Sequence, residues 1–310
     1  MIFEPMVPQD FNLYRPFFEN QRYPLCAYAL SSIIAWSNEE YKPVGTEFDG
    51  ALIVGAEFKK MKKNRHLILP ISPQKEFSPD ELASLAKRTA FNQFWFVPET
   101  YVGRYGQEEV ENHFQVMSHA AYDDYVYRVE DLAELKGNRY SKKRNLIKQF
   151  RRNFVDQGRV EIEPIDKTNA DACLSFLEEW CRERDCDADD QLDLSCEKIA
   201  AINTIEHIDT FDVTGICLTL DGKVSAFGIS APLTKDMATL QYEKAFSSVK
   251  GLYQYFDNAC ARMLFNSYTY LNKESDMGIP GLAKAKRSYH PVKMEKSVKL
   301  LLKRGLMDCK

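Results

Sequence analysis

Asp221-Gly222 stands between two β-rich runs, VTGICLTL and KVSAFGISAPL. An Asp-Gly pair supplies the two positive-φ residues that a two-residue antiparallel turn needs, so the chain must form a hairpin there. A third β-rich run, ATLQYEKAF, follows Lys235-Asp236, and SSVKGLYQYFDNACARMLF then sets Leu252, Phe256, Ala259, Met263 and Leu264 at helical spacing behind Gly251. SYTYLNK reads as one more strand. Upstream, ADACLSFLEEWCRER is an amphipathic helix with Cys173, Phe176, Leu177 and Trp180 on one side. The order is helix, three strands, helix, strand. The first half repeats it: EYKPVGTEF, GALIVGAEF and HLILPIS read as strands, SPDELASLAKRTA as a helix with Ser78 at its N-cap, and QFWFVP as a strand. The pattern predicts an α/β (α+β) chain of two tandem units, 1–133 and 134–310, each a mixed, mainly antiparallel sheet flanked by helices.

A chain of 310 residues with 45% hydrophobic content can fill two such cores. The opening MIFEPMVPQDF lacks the basic segment of a secretory signal, and the most apolar run, residues 24–36, is too short to span a bilayer. Eight cysteines occur without a CxxC pair, and the five histidines are scattered, which does not read as a metal site. Cys173, Cys181, Cys186 and Cys196 read as reduced thiols on and after a helix, so a reducing cytoplasm is the expected location.

Charge is distributed unevenly. The chain holds 41 Lys+Arg against 45 Asp+Glu, yet LKGNRYSKKRNLIKQFRRNF at 135–154 carries eight cations and no acid. As a helix, 141–154 places Arg144, Lys148, Arg151 and Arg152 on one face and Ile147, Phe150 and Phe154 on another. A merely solvated helix usually interleaves signs and gains i,i+4 pairs, so this face suits a polyanion such as tRNA. Lys143 falls on the apolar side, and either snorkels outward or points toward a site or buried partner.

The order helix, antiparallel strands, Gly-entered helix, strand resembles the GNAT acyltransferase fold. There the helix N-terminus usually receives the pyrophosphate of an acyl-CoA, because free N–H groups and the helix dipole favour an anion. The resemblance puts Lys250 and Gly251 at that turn, SSVKGLYQ, with acetyl-CoA or another acyl-CoA as an alternative co-substrate and no tightly bound cofactor.

Three stretches carry a closer resemblance: LKGNRYSKKRN at 135–145, YEKAFSSVKGLY, and NKESDMGIPGLAKAKRSYHPVKMEKS at 272–297. They are similar to the bacterial family with the phosphatidylglycerol lysyltransferase C-terminal-type domain, over nearly the whole chain. This family is built of tandem GNAT-like units and is a distant cousin of the Fem-type enzymes. The resemblance implies transfer of an aminoacyl group from aminoacyl-tRNA to an amine or hydroxyl. Its best-known members act on a lipid head group and place a multi-span membrane domain first, which this sequence does not show. Small-molecule, lipid head-group and peptide acceptors therefore all stay open. The first stretch contains Lys143, Arg144 and Asn145. Asp276 and Gly278 fall in the family's acidic-glycine stretch, and Lys284, Lys286, Ser288, Tyr289 and Pro291 in its lysine-aromatic-proline stretch.

Transfer to an amine needs that amine neutral, which a nearby carboxylate achieves. Side chains alternate along an extended segment, so Glu274 and Asp276 share a side, and Asp276 is the expected base with Glu243 nearby as the second carboxylate. Tyr289 can donate a proton or pack, and Lys284 and Lys286 should point apart. Two other readings stand beside the aminoacyltransferase: an acyl-CoA-dependent N-acetyltransferase, and a non-catalytic module that uses the basic helix to bind nucleic acid or another anion.

Overall fold

The computed structural model describes residues 1–184 and 192–303. Cys186 and the side chain of Cys196 lie outside the described residues, while Cys173 and Cys181 are buried. In chain order the strands are β1 (Glu4–Pro5), β2 (Tyr41–Phe48), β3 (Ala51–Phe58), β4 (His66–Leu67), β5 (Gln93–Pro98), β6 (Phe114–Ser118), β7 (Asp124–Arg128), β8 (Val160–Pro164), β9 (Thr214–Leu220), β10 (Lys223–Thr234), β11 (Met237–Ala245), β12 (Tyr270–Asn272), β13 (Lys293–Glu295) and β14 (Ser297–Leu302). They form two mixed sheets flanked by helices, ordered β1-β2-β3-β4-β5-β14-β6 and β13-β7-β12-β11-β10-β9-β8.

The local signals act as their chemistry requires. Asp221 and Gly222 both take positive φ, 54° and 78°, and Leu220 pairs with Lys223 across the turn. Ser78 accepts from the Glu81 N–H while its own N–H donates to the Glu81 carboxylate, a reciprocal cap on the helix Pro79–Thr89. HLILPIS yields only the two-residue β4 and a lone bridge from Ile71 to Leu52, because Pro70 lacks the N–H that a continuing ladder needs.

Sheet membership does not divide at 133/134. β7, which precedes that point, lies inside the second sheet, and β14, from the far end, lies inside the first. Only Lys296 separates β13 from β14, so the chain steps from one sheet to the other in a single residue. The units also share packing: Ala231, Leu233 and Met237 of the second sheet are buried in the core of the first.

The cationic stretch forms the helix Ser141–Asn153. Phe150 is its fully buried anchor, contributing roughly 1.5–3 kcal/mol by area alone. It lies against the helix Leu252–Met263, whose N-cap Gly251 has φ 85°. A Cβ on Gly251 would stand 2.5 Å from the Leu146 carbonyl oxygen and 3.1 Å from the Phe150 Cβ. Gly251→Ala therefore meets both backbone strain and a backbone clash, and should cost about 1–3 kcal/mol in urea unfolding. Hydrogen exchange should report the loss mainly as faster exchange across Ser141–Asn153.

Candidate active site

β11 and β12 run parallel and pair only from Met237↔Tyr270 to Thr239↔Asn272. The ladder has no pair beyond Thr239, and Lys273, the residue after Asn272, stands at this gap in the pairing. Its Nζ lies 2.7 Å from Glu243 Oε2 on β11 and 2.5 Å from Asp257 Oδ1 on the helix Leu252–Met263. Glu243 reaches that helix because its cross-strand partner is Gly228, whose missing side chain leaves room for Cys260 and Phe256. Asp257 is 3% exposed and Glu243 14%. Two carboxylates against one ammonium leave an excess negative charge in a dry place. Burial, with Asp257 adding to it and Lys273 opposing, holds the Glu243 carboxyl up to about 7. Burial works to lower Lys273, but Asp257 and Glu243 prevail and hold it well above its ordinary value. The arrangement is a fixed cation beside a carboxyl that gains and loses a proton near neutrality.

Tyr289 and Lys143 complete this wall. Lys143 Nζ sits 3.6 Å from the Tyr289 ring centroid and donates to Ser288 Oγ at 2.8 Å. Lys273 Nζ is 5.3 Å from the same ring. Burial lowers Lys143, with Asp257 opposing, and burial followed by Asp257 raises the Tyr289 hydroxyl well above its ordinary range. Of the two directions open to Lys143, the structure takes the inward one, against the site wall. Below it, Lys286 donates to three successive carbonyls, those of Lys273, Glu274 and Ser275, the last two at 3.2 and 2.6 Å. This clamp holds the backbone that carries Lys273. Lys284, on the same helix Pro280–Arg287, is exposed.

A groove of 490 Å³ opens between the cationic helix and the helix Leu252–Met263, lined by Arg144, Lys148, Arg151, Arg152 and Arg262 against the acids Glu134 and Asp156. Arg144 is partly committed, donating to the carbonyls of Leu135 and Gly137 at 2.5 and 2.6 Å. Lys136 pairs with Glu134 and Arg139 with Asp131. Lys148, Arg151 and Arg152 are exposed and have no acidic partner among the described residues. Asn145 and Lys250 are also exposed. Gly251 faces the Leu146 carbonyl, so its missing side chain serves helix packing.

Residues 60–298 match the family model described as phosphatidylglycerol lysyltransferase, C-terminal. The chain belongs to this family. Both the ion cluster and the cationic groove lie inside the matched span. A conserved protein of unknown function from Bacteroides thetaiotaomicron is similar in structure at 27% identity and a TM-score of 0.86, over 98% of this chain and 100% of that one. The C-terminal domain of a provisionally named lysylphosphatidylglycerol synthetase from Agrobacterium fabrum is similar at 14% identity and a TM-score of 0.64, over 94% and 91%. At that identity the second likeness speaks for the fold alone. No curated protein matches the chain significantly. This lysyltransferase-family chain is built of two mixed sheets flanked by helices, and it is an acyltransferase by family. No helix among the described residues is long and apolar enough to cross a membrane.

Asp276, in the family's acidic-glycine stretch, and Glu243 share no hydrogen-bond partner. Asp276 accepts from the Tyr125 hydroxyl at 2.5 Å and from the Gly278 N–H at 2.9 Å, fixing the loop. Glu274, Met277 and Gly278 all take positive φ, so the segment is not extended and the expected alternation fails. Glu274 turns instead to a buried setting whose charged neighbours include Lys286 and Asp124, and burial raises its carboxyl to about 8. Two members of the cluster, Asp257 and Lys273, were missed. Asp257 had a signal, an acid next to Phe256 on the buried face of its helix, where the other residues are apolar. Lys273 had none, because the polar end of a strand looks the same whether it meets water or two carboxylates.

Proposed function

We propose that this chain transfers an aminoacyl group from a charged tRNA to an amine or hydroxyl acceptor. One observation carries the reading: a single helix presents Lys148, Arg151 and Arg152, which have no acidic partner among the described residues, to an open groove and, from its first turn, reaches Tyr289 with Lys143. A polyanion held on that groove would have its reactive end near the Glu243 cluster. The acceptor nitrogen or oxygen attacks the ester carbonyl of the donor. A new amide or ester bond forms, and the ester bond to the ribose breaks. Glu243 takes the acceptor's proton and returns it to the departing ribose oxygen, while Lys273 stays charged beside it. An acyl-CoA donor fits less well, since the Leu146 carbonyl crowds the Gly251 turn that would seat its pyrophosphate.

Salt dependence tests the donor. Each duplex phosphate neutralised adds close to one unit to the slope of log affinity against log salt. With Arg144 partly committed to carbonyls, three free cations give a slope of about −3 rather than the −4 that four would give. Changing Lys148, Arg151 and Arg152 to Gln should flatten it toward zero and weaken binding. A wild-type protein with no tRNA affinity at low salt would sink this reading, and binding without turnover would favour a non-catalytic module.

A further inference from the structure

Each sheet holds one parallel strand pair, and both ladders are short. β11 and β12 form the pair that ends beside Lys273, while β4 and β5, in the first sheet, are joined by Leu67↔Phe94 alone. Two residues on, at Leu69 and Phe96, a side chain takes over from the ladder. The buried Tyr28 hydroxyl accepts from the Leu69 N–H at 3.2 Å and donates to the Phe96 carbonyl at 3.0 Å, so it fills this break. The other end of the same short segment reaches the residues beside Lys273. The Pro24 carbonyl accepts from Asn272 Nδ2 at 2.9 Å, and the Cys26 N–H donates to Asp124 Oδ2 at 2.6 Å. Asp124 and Asn272 are both buried and are joined at 2.8 Å. Asn272 Oδ1 in turn accepts from the Glu274 N–H at 2.7 Å. The Asn272 amide therefore donates to the segment and to Asp124, while its oxygen holds the residue that follows Lys273.

We propose that segment 24–28 is a strap by which the first unit sets where Lys273 stands, with Asp124 and Asn272 as positioning residues and Tyr28 as the anchor of its far end. A lysine ammonium rides on four methylenes, so its place against Glu243 and Asp257 is only as fixed as the backbone beneath it. Lys286 holds the carbonyls of Lys273, Glu274 and Ser275, and the Asp124–Asn272 pair holds both neighbours of Lys273 through side chains. Asp124 makes no hydrogen bond to Lys273 or Glu243 among the described residues. A buried carboxylate is costly to keep, and this one is satisfied by the Cys26 N–H, the Cys26 thiol at 3.4 Å and Asn272. Those bonds join the strap to the strand that leads into Lys273. The effect on turnover rests on the transfer reading above, but the placement of Lys273 does not.

The titration of Glu243 reads that placement without any donor. NMR of the full chain labelled at the glutamate carboxyl carbons follows it, with the Glu243 signal assigned by its loss in Glu243→Gln and a wild-type midpoint of about 7. Asp124→Asn keeps the shape but turns an amide N–H toward one of the donors it now receives, so one of those bonds is lost. Removing a negative charge would by itself lower the Glu243 midpoint, whereas displacing Lys273 raises it. A rise of about one pH unit is expected. Tyr28→Phe alters no charge and lies in the first unit, and it should raise the midpoint by less. It decides the matter alone if Asp124→Asn does not fold. Ser78→Ala opens a helix cap elsewhere in the first unit, so it should ease urea unfolding and leave the Glu243 midpoint in place. With charged tRNA, Asp124→Asn should lower kcat about 10²-fold at unchanged KM. A Glu243 midpoint that stays or falls in Asp124→Asn, one that stays in Tyr28→Phe, or one that moves as far in Ser78→Ala would each overturn the proposal. Absence of transfer by the wild type would remove the donor reading and leave the NMR comparison as decisive as before.

Discussion

Glu243→Gln is expected to lower turnover about 10²- to 10⁴-fold while leaving tRNA affinity unchanged, the range for one positioned proton-transfer group. The variant should fold, because removing one charge from a cluster of two carboxylates and one ammonium leaves Lys273 and Asp257 as a neutral pair. Wild-type activity should rise as pH passes about 7, where the Glu243 carboxyl loses its proton, and the variant should lack that limb. The Asp276→Asn variant is the control. Its carboxylate fixes a loop through Tyr125 and Gly278, so a loss there as large as that of Glu243→Gln, with the same lost limb, would move the base back to Asp276.

Lys273→Met should destabilise the fold by about 3–5 kcal/mol, since it strands two buried carboxylates without their cation. The sign of the pH dependence follows from Glu243. Its folded value, about 7, lies above the ordinary 4.5 of an unfolded chain. The stability linked to its proton is therefore fully present below about 4.5 and is lost as pH rises through 7. In the variant that decline should be steeper, because the cation that tolerated the second charge is gone. Urea unfolding at pH 5 and pH 8 measures this. A variant equally stable at both would mean that the carboxylates find water, and that the cluster is wetter than its burial indicates.

The local half of this architecture was legible in the residues. Asp221-Gly222 named its hairpin, Ser78 and Glu81 their cap, and the apolar spacing of Ile147, Phe150 and Phe154 the cationic helix, because each signal is complete within one or two turns of chain. What was not legible was pairing at a distance. SVKLLL alternates as any strand does, and nothing in six residues says which sheet it joins. Glu243 was singled out, but its partners lie 14 and 30 positions away, across a helix and a gap. The acidic loop was misread because Glu274 and Met277 adopt a backbone conformation that non-glycine residues seldom take.

The placement of β14 bears on how the molecule is made. Of the strands described, β14 is the last in sequence, and it fills an interior position in the sheet that contains the earliest ones. As the chain emerges during synthesis, the first sheet can form up to β5 and then must wait, with the β5 and β6 edges unsatisfied, until the second sheet has been built and passes β14 back. Nascent chains stalled before Ser297 should thus be recognised by chaperones that bind open edges. The two units that look like beads on a string mature in the reverse order of their appearance, the later one finishing first.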